Sequence, residues 1–261
     1  MTLDFDNKTG ALSQILYGGV SWASATNTLF AFEYQSYNIS QFQAFQRAYS
    51  NLTNPPGYFP HDFGKPNDVE AVNYVAQARA LSFWIKHSDT GATILIESHF
   101  ELAQLHEEYG TPSSMWTQLD VDDDRINVTV TLANKSATRH AEALFLRLKP
   151  RQATIEMDKL GSWIQMTKGL VVDGGNKQMH AVNRGIRFNQ SDGSSMVLET
   201  LDAGVVAFGS PTGFPVSGPY GNAEPDLSQG VSSMLFNNLW GTVIINHDPC
   251  SIKFISEHLL K

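Results

Sequence analysis

The chain has 261 residues, 42% of them hydrophobic and 11% aromatic, enough to bury a large core and to exclude wholesale disorder. Its 18 Lys and Arg against 26 Asp and Glu leave a net charge of −8 with no basic run, which sets aside nucleic acid and anionic membrane surfaces as main partners. One cysteine, Cys250, excludes an internal disulfide framework and any zinc site built on several thiolates.

In chain order, Leu3 and Phe5 alternate as the start of a strand, and Asn7-Lys8-Thr9-Gly10 supplies the turn that ends it. A helix is expected from Ser40, an N-cap with Gln43 three residues on. It runs through the stripe Phe42, Phe45 and Tyr49 to the stop Asn54-Pro55-Pro56. The loop over 57–66 carries His61 and Asp62, and a second short helix is expected around Asp68 to Ala80. Leu81 to Ile85 and Thr93 to Ile96 are apolar at successive positions and read as strands covered on both faces, with Trp84 buried. Asp120, Asp122, Asp123 and Asp124 start like a calcium loop. Arg125 then stands where the loop needs Gly, and Thr131 where it needs Glu, so a solvated turn between two strands is expected.

Period-two alternation is cleanest further on. Ile126, Val128, Val130 and Leu132 alternate with Asn127, Thr129 and Thr131; Leu144, Leu146 and Leu148 alternate with Phe145 and Arg147, and Ile186 and Phe188 with Arg187 and Asn189. Val197 to Phe208 is apolar on both faces, and 209–230 is a long turn-rich stretch. The predicted class is all-β, a large antiparallel β-supersandwich with one or two short helices, forming a single domain over 1–261. The amino terminus lacks the basic and apolar regions of a signal peptide. Six Asn-X-Ser/Thr sequons, at Asn7, Asn38, Asn51, Asn127, Asn134 and Asn189, nevertheless point to a secretory history. The two agree if the chain is part of a longer precursor. No apolar stretch is long enough to span a bilayer.

Most familiar chemistries lack their residues. The eight histidines form no His-Glu-X-X-His pattern and no i, i+4 pair, which disfavours a metal site. Gly209-Ser210-Pro211-Thr212-Gly213 mimics a nucleophile elbow, but Pro211 removes the N–H that an oxyanion hole needs. No dinucleotide fingerprint is present, and no cofactor is implied. The five tryptophans, at 22, 84, 116, 163 and 240, are what a sugar-binding face needs, although such residues are more often core. Trp116 and Trp240 have the more polar flanks.

Several segments together resemble one family. LDFDNKTGALSQI with SWAS, SQFQAFQRAYSN with DFGKPN, LFLRLKP, HAVNRGIRF and LFNNLWGT resemble the C-terminal β-sandwich of α-mannosidase-like proteins related to glycoside hydrolase family 38. That resemblance implies a supersandwich like that of galactose mutarotase, following a catalytic barrel with an Asp nucleophile and a metal. No segment here resembles the barrel, so no nucleophile or metal ligand carries over. The tail VIINHDPCSIKFISEHLLK departs from the aromatic-rich last strand expected there.

The expected function is a non-catalytic carbohydrate-associated accessory domain of a glycoside hydrolase-like protein, with a carbohydrate ligand and a missing barrel domain as partners. A sugar would sit near His180, Asn183 and Arg184 together with Asn237, Asn238 and Trp240, where amides and an aromatic plane pair vicinal hydroxyls and stack on a ring. Two alternatives stay open. One is a sugar-active enzyme: an epimerase using His180 with Glu199 or Asp202, or a lyase whose uronate is neutralised by Arg147, Arg151, Arg184 or Arg187. The other is a structural interaction domain.

Overall fold

In the computed structural model, residues 1–41, 44, 72–138, 140–173, 175–212, 224–238 and 253–256 are described. The described residues form an antiparallel all-β sandwich. A nine-stranded sheet contains β1 (Thr2–Phe5), β2 (Leu12–Tyr17), β3 (Val20–Ser21), β4 (Leu29–Ser36), β5 (Tyr74–Gln77), β10 (Glu142–Leu148), β13 (Met179–Ala181), β16 (Val205–Phe208) and β17 (Val231–Asn237). Its order is β1-β2-β4-β10-β17-β16-β13, with β3 on β2 and β5 on β4. A five-stranded sheet takes β6 (Arg79–His87), β7 (Ala92–His99), β8 (Ser114–Val121), β9 (Ile126–Ala133) and β18 (Lys253–Ser256), in the order β18-β9-β8-β7-β6. A four-stranded sheet joins β11 (Thr154–Lys159), β12 (Ser162–Gln165), β14 (Gly185–Asn189) and β15 (Ser195–Glu199), in the order β12-β11-β14-β15.

One core cluster draws on all three sheets. Tyr34, Leu144 and Leu146 come from the large sheet, Ile96, Met115 and Val128 from the five-stranded sheet, and Ile186, Phe188 and Met196 from the four-stranded sheet. The large sheet thus packs against both smaller ones. Period-two burial drives this: in β9, Ile126, Val128, Val130 and Leu132 are buried while the residues between them are half-buried or exposed. Asp122 to Arg125 form the tight turn between β8 and β9, Asp122 N–H donating to Arg125 O at 2.9 Å, as the failed calcium pattern predicts.

Where charge enters the interior it is paired. Glu142 is 2% exposed; it accepts from the Tyr34 hydroxyl at 2.8 Å and from Lys135 Nζ at 2.7 Å. Lys135 also sits over the Phe236 ring. Burial first, and then the Glu142 charge, push the Tyr34 phenol far above the ordinary tyrosine range, so it stays a donor. On the opposite face of the large sheet Arg147 pairs with Glu33 at 2.9 Å, and Gln35 donates to Glu33 at 2.8 Å.

Three expectations are corrected. The capping box forms two residues earlier than Ser40 and Gln43. Gln41 N–H donates to Asn38 Oδ1 and Asn38 N–H to Gln41 Oε1, both at 3.1 Å, and Ser40 lies inside the first turn. The rest of that helix, with His61 and Asp62, lies outside the described residues. The second helix is strand from Tyr74 onward: Tyr74, Ala76, Ala78 and Ala80 pack against the core at every second position, a pattern that outweighs alanine's helix propensity. Trp84 is 48% exposed rather than buried, because β6 is the edge strand of its sheet and one flank has no neighbour among the described residues. Among the described residues Ala103–Glu107 is an α-helix and Leu227–Gln229 a 3-10 helix, and no helix among them is long and apolar enough to cross a membrane.

Candidate functional site

The structure divides the six residues read as a sugar site. His180 lies in β13 opposite Val206, its ring edge-on to Phe208 at 5.5 Å, with Nε2 buried and unpartnered. Desolvation lowers its pKa below the usual imidazole value, opposed by a hydrogen bond to the Lys177 backbone and reinforced by the Lys159 charge. Asn183 and Arg184 follow in the turn into β14. Asn183 Oδ1 accepts from Leu160 N–H at 3.0 Å, and exposed Arg184 lies 3.6 Å from Asp158. Asn237 and Asn238 belong to the far end of β17, four residues beyond the position level with His180, roughly 13 Å along the strand. There Asn238 Nδ2 donates to the carbonyls of Thr138 and His140 and holds that loop. Trp240 lies outside the described residues. The two halves of the predicted site are therefore two places.

The enzyme readings fare no better on geometry. Glu199 and Asp202 line a small apolar cavity of about 40 Å3 beside Phe30, Val130 and Leu235, while the charged group acting on His180 is Lys159. Among the four arginines, Arg147 pairs with Glu33, and Arg187 pairs with Glu156 at 2.5 Å while lying over the Trp163 ring. Arg184 is at Asp158, and the Arg151 carbonyl accepts from Gln190. No uronate cradle forms from them. Among the described residues no group of three His, Cys, Asp or Glu side chains is placed to hold a metal ion.

A different site is open at one end of the four-stranded sheet. A cleft of about 620 Å3 is built from the loop before β4, the β10–β11 connection, the end of β12, the β14–β15 hairpin and the short 3-10 helix Leu227–Gln229. Five amides line it, Asn27, Gln152, Gln165, Asn189 and Gln190, with hydroxyls from Thr154, Ser191 and Ser228. Pro150, Ile155, Met166 and Leu227 supply apolar surface, Ile155 and Met166 being buried core residues. None of its lining side chains ionises.

Local bonds orient these amides. Gln190 Nε2 donates to Ser21 O at 2.9 Å and to Arg151 O at 3.3 Å, which leaves Oε1, an acceptor, for other partners. Asn27 does the reverse: Oδ1 accepts from Ser24 and Thr26, leaving the donor nitrogen. The nearest carboxylates in sequence are held ionised. The Ser228 hydroxyl and N–H lower the Asp226 pKa, and the Ser194 N–H lowers that of Asp192. Donors, acceptors and an apolar floor are thus present together in one cleft. The sequence does not show this cleft, because its five segments converge only through the sheet topology.

The fold and cleft define a class, an antiparallel β-sandwich with an uncharged, amide-lined groove. Residues 1–129, just under half the chain, match the family described as a domain of unknown function, DUF5054. No curated protein matches the chain.

Proposed function

We propose that this protein is a non-catalytic carbohydrate-associated module, the accessory sandwich of a glycoside hydrolase-like protein resembling family 38, with a catalytic barrel as its partner. The observation that carries the reading is the cleft of about 620 Å3 whose lining holds five amides and three hydroxyls and no ionisable side chain. Hydroxyl groups of a neutral sugar need paired donors and acceptors, and its C–H face needs an apolar floor; both are present. A glycosidase needs two carboxyl groups facing one bond. The cleft lacks them. Secretion as part of a longer precursor belongs to the same proposal and is supported by sequons at Asn7 and Asn134, both exposed.

The test is saturation-transfer NMR and calorimetry with neutral mono- and disaccharides, on the intact protein and on Gln190→Ala and Asn27→Ala. Each lost hydrogen bond should weaken binding about 2- to 12-fold, for about 0.5–1.5 kcal/mol. No sugar should be turned over. Binding that both variants leave unchanged, or hydrolysis by the intact chain, would overturn the assignment.

A further inference from the structure

The outer face of the five-stranded sheet carries an aromatic surface that the cleft does not use. Trp84 of β6 and Trp116 of β8 stack with ring centroids 5.5 Å apart and planes 20° apart, forming an offset stacked plate. Half of Trp84 is solvent-exposed, although a ring of this size contributes most to stability when buried. Strand register places polar side chains around the plate on the same face. Glu97 and Thr131 lie level with Trp116, and Gln118 and Thr129 lie in the row of Trp84 and Leu95. One row further, Asp120 accepts from Thr93 at 2.7 Å and from Gln118 at 2.8 Å, which fixes both donors. Trp116 Nε1 donates to Ser114 Oγ at 3.0 Å, anchoring that ring.

We infer that this face is a second glycan site, a flat platform for an extended, neutral polysaccharide chain. It rests on the carbohydrate reading for its ligand class but on a different sheet for its location. Three features select that ligand. The π face of Trp84 takes the apolar C–H face of a pyranose, and the neighbouring amide and hydroxyls reach the equatorial hydroxyls at its edge. The face is an open pleated surface about three strand spacings wide, roughly 14 Å from β6 to β9, which matches several linked sugars and leaves a single sugar uncovered. Glu97 and Asp120 share the face with exposed Lys86, which lies in the row of Thr93 and Asp120, so neither sign of charge dominates and an uncharged polymer fits it. The cleft would hold a sugar end or a short oligosaccharide, and the platform would hold the chain.

Affinity electrophoresis of the intact protein through gels containing soluble β-glucan, glucomannan or galactomannan, with alginate as the anionic control, tests this directly. At least one neutral polymer should retard the protein, and alginate should not. Trp84→Ala should weaken the retarding interaction about tenfold or more, and Trp84→Phe should restore part of it. Leu160→Ala, in the exposed β11–β12 turn of another sheet, should leave it unchanged. Because Trp84 is half-exposed, its variants should keep the wild-type melting transition within a few degrees, which separates lost binding from lost folding. Retardation that survives Trp84→Ala, or is lost equally in Leu160→Ala, overturns the platform. Failure of every neutral polymer to retard the wild type also overturns it and leaves the exposed indole to a protein partner. In each of these cases small-sugar NMR at the cleft judges the first reading separately.

Discussion

Replacing Tyr34 with Phe removes one hydroxyl and leaves the ring, its packing on Phe100 and the strand around it in place. The hydroxyl donates at 2.8 Å to Glu142, a carboxylate 2% exposed, so water has little access to take its place. A hydrogen bond to a charged group contributes about 1.5–3 kcal/mol, and loss of about 2 kcal/mol should lower the melting temperature by roughly 4–8 °C in a domain of this size. Lys135→Met should also destabilise, by about 1–3 kcal/mol, because it removes a cation 2.7 Å from the same buried carboxylate. Adding Glu142→Gln to Lys135→Met removes the buried charge while keeping an acceptor for Tyr34, and should recover much of that loss. Thermal unfolding followed by near-UV circular dichroism measures all three variants. A shift below about 1 °C for Tyr34→Phe, or a Lys135→Met, Glu142→Gln pair no more stable than Lys135→Met alone, would refute the view that this triad is a mutually dependent buried network.

Three further outcomes are expected. His180 has its pKa lowered in the folded state by burial, so the unfolded chain takes up the proton more readily. Stability should therefore fall as pH drops below about 6.5, and a His180→Phe variant should lose that dependence in melts recorded across the range. At Gly185 an added Cβ would lie 1.8 Å from the Leu198 carbonyl oxygen, so Gly185→Ala should destabilise the four-stranded sheet by several kcal/mol or abolish expression of folded protein. Of the described sequons, exposed Asn7 and Asn134 should be occupied when the chain passes through a eukaryotic secretory pathway. Asn127, in mid-strand with its Oδ1 buried, should not be, as peptide mass mapping would show.

The sheets were legible because alternation is local. Ile126 to Leu132 and Ile186 with Phe188 each state their own face, and each is a strand; Leu144 to Leu148 is a strand too, but Phe145 is buried in a second cluster on its other face. Trp84 was misread because burial of an apolar run depends on whether a strand is central or at an edge, and no residue in Leu81 to Ile85 encodes that. Asn38 and Ser40 both satisfy the capping pattern, and only the backbone path of β4 decides between them. The cleft was least accessible. Asn27, Gln152, Gln165 and Gln190 are unremarkable polar residues in four separate segments, and their chemistry exists only once the sheets bring them together.

The strand at the centre of the large sheet has a consequence for synthesis. β10 can pair with β4 once residue 148 has left the ribosome, but its other edge closes only against β17, roughly ninety residues further on. In the interval the chain assembles the four-stranded sheet, whose strands all lie between Thr154 and Glu199. Throughout it Leu144, Phe145 and Leu146 stand beside an open row of backbone donors and acceptors, a template that any neighbouring nascent strand fits. The stretch matched by the family model stops at residue 129, before β10. Made alone, it would carry β4 with one of its partners still unwritten, and would meet that hazard without the strand that ends it.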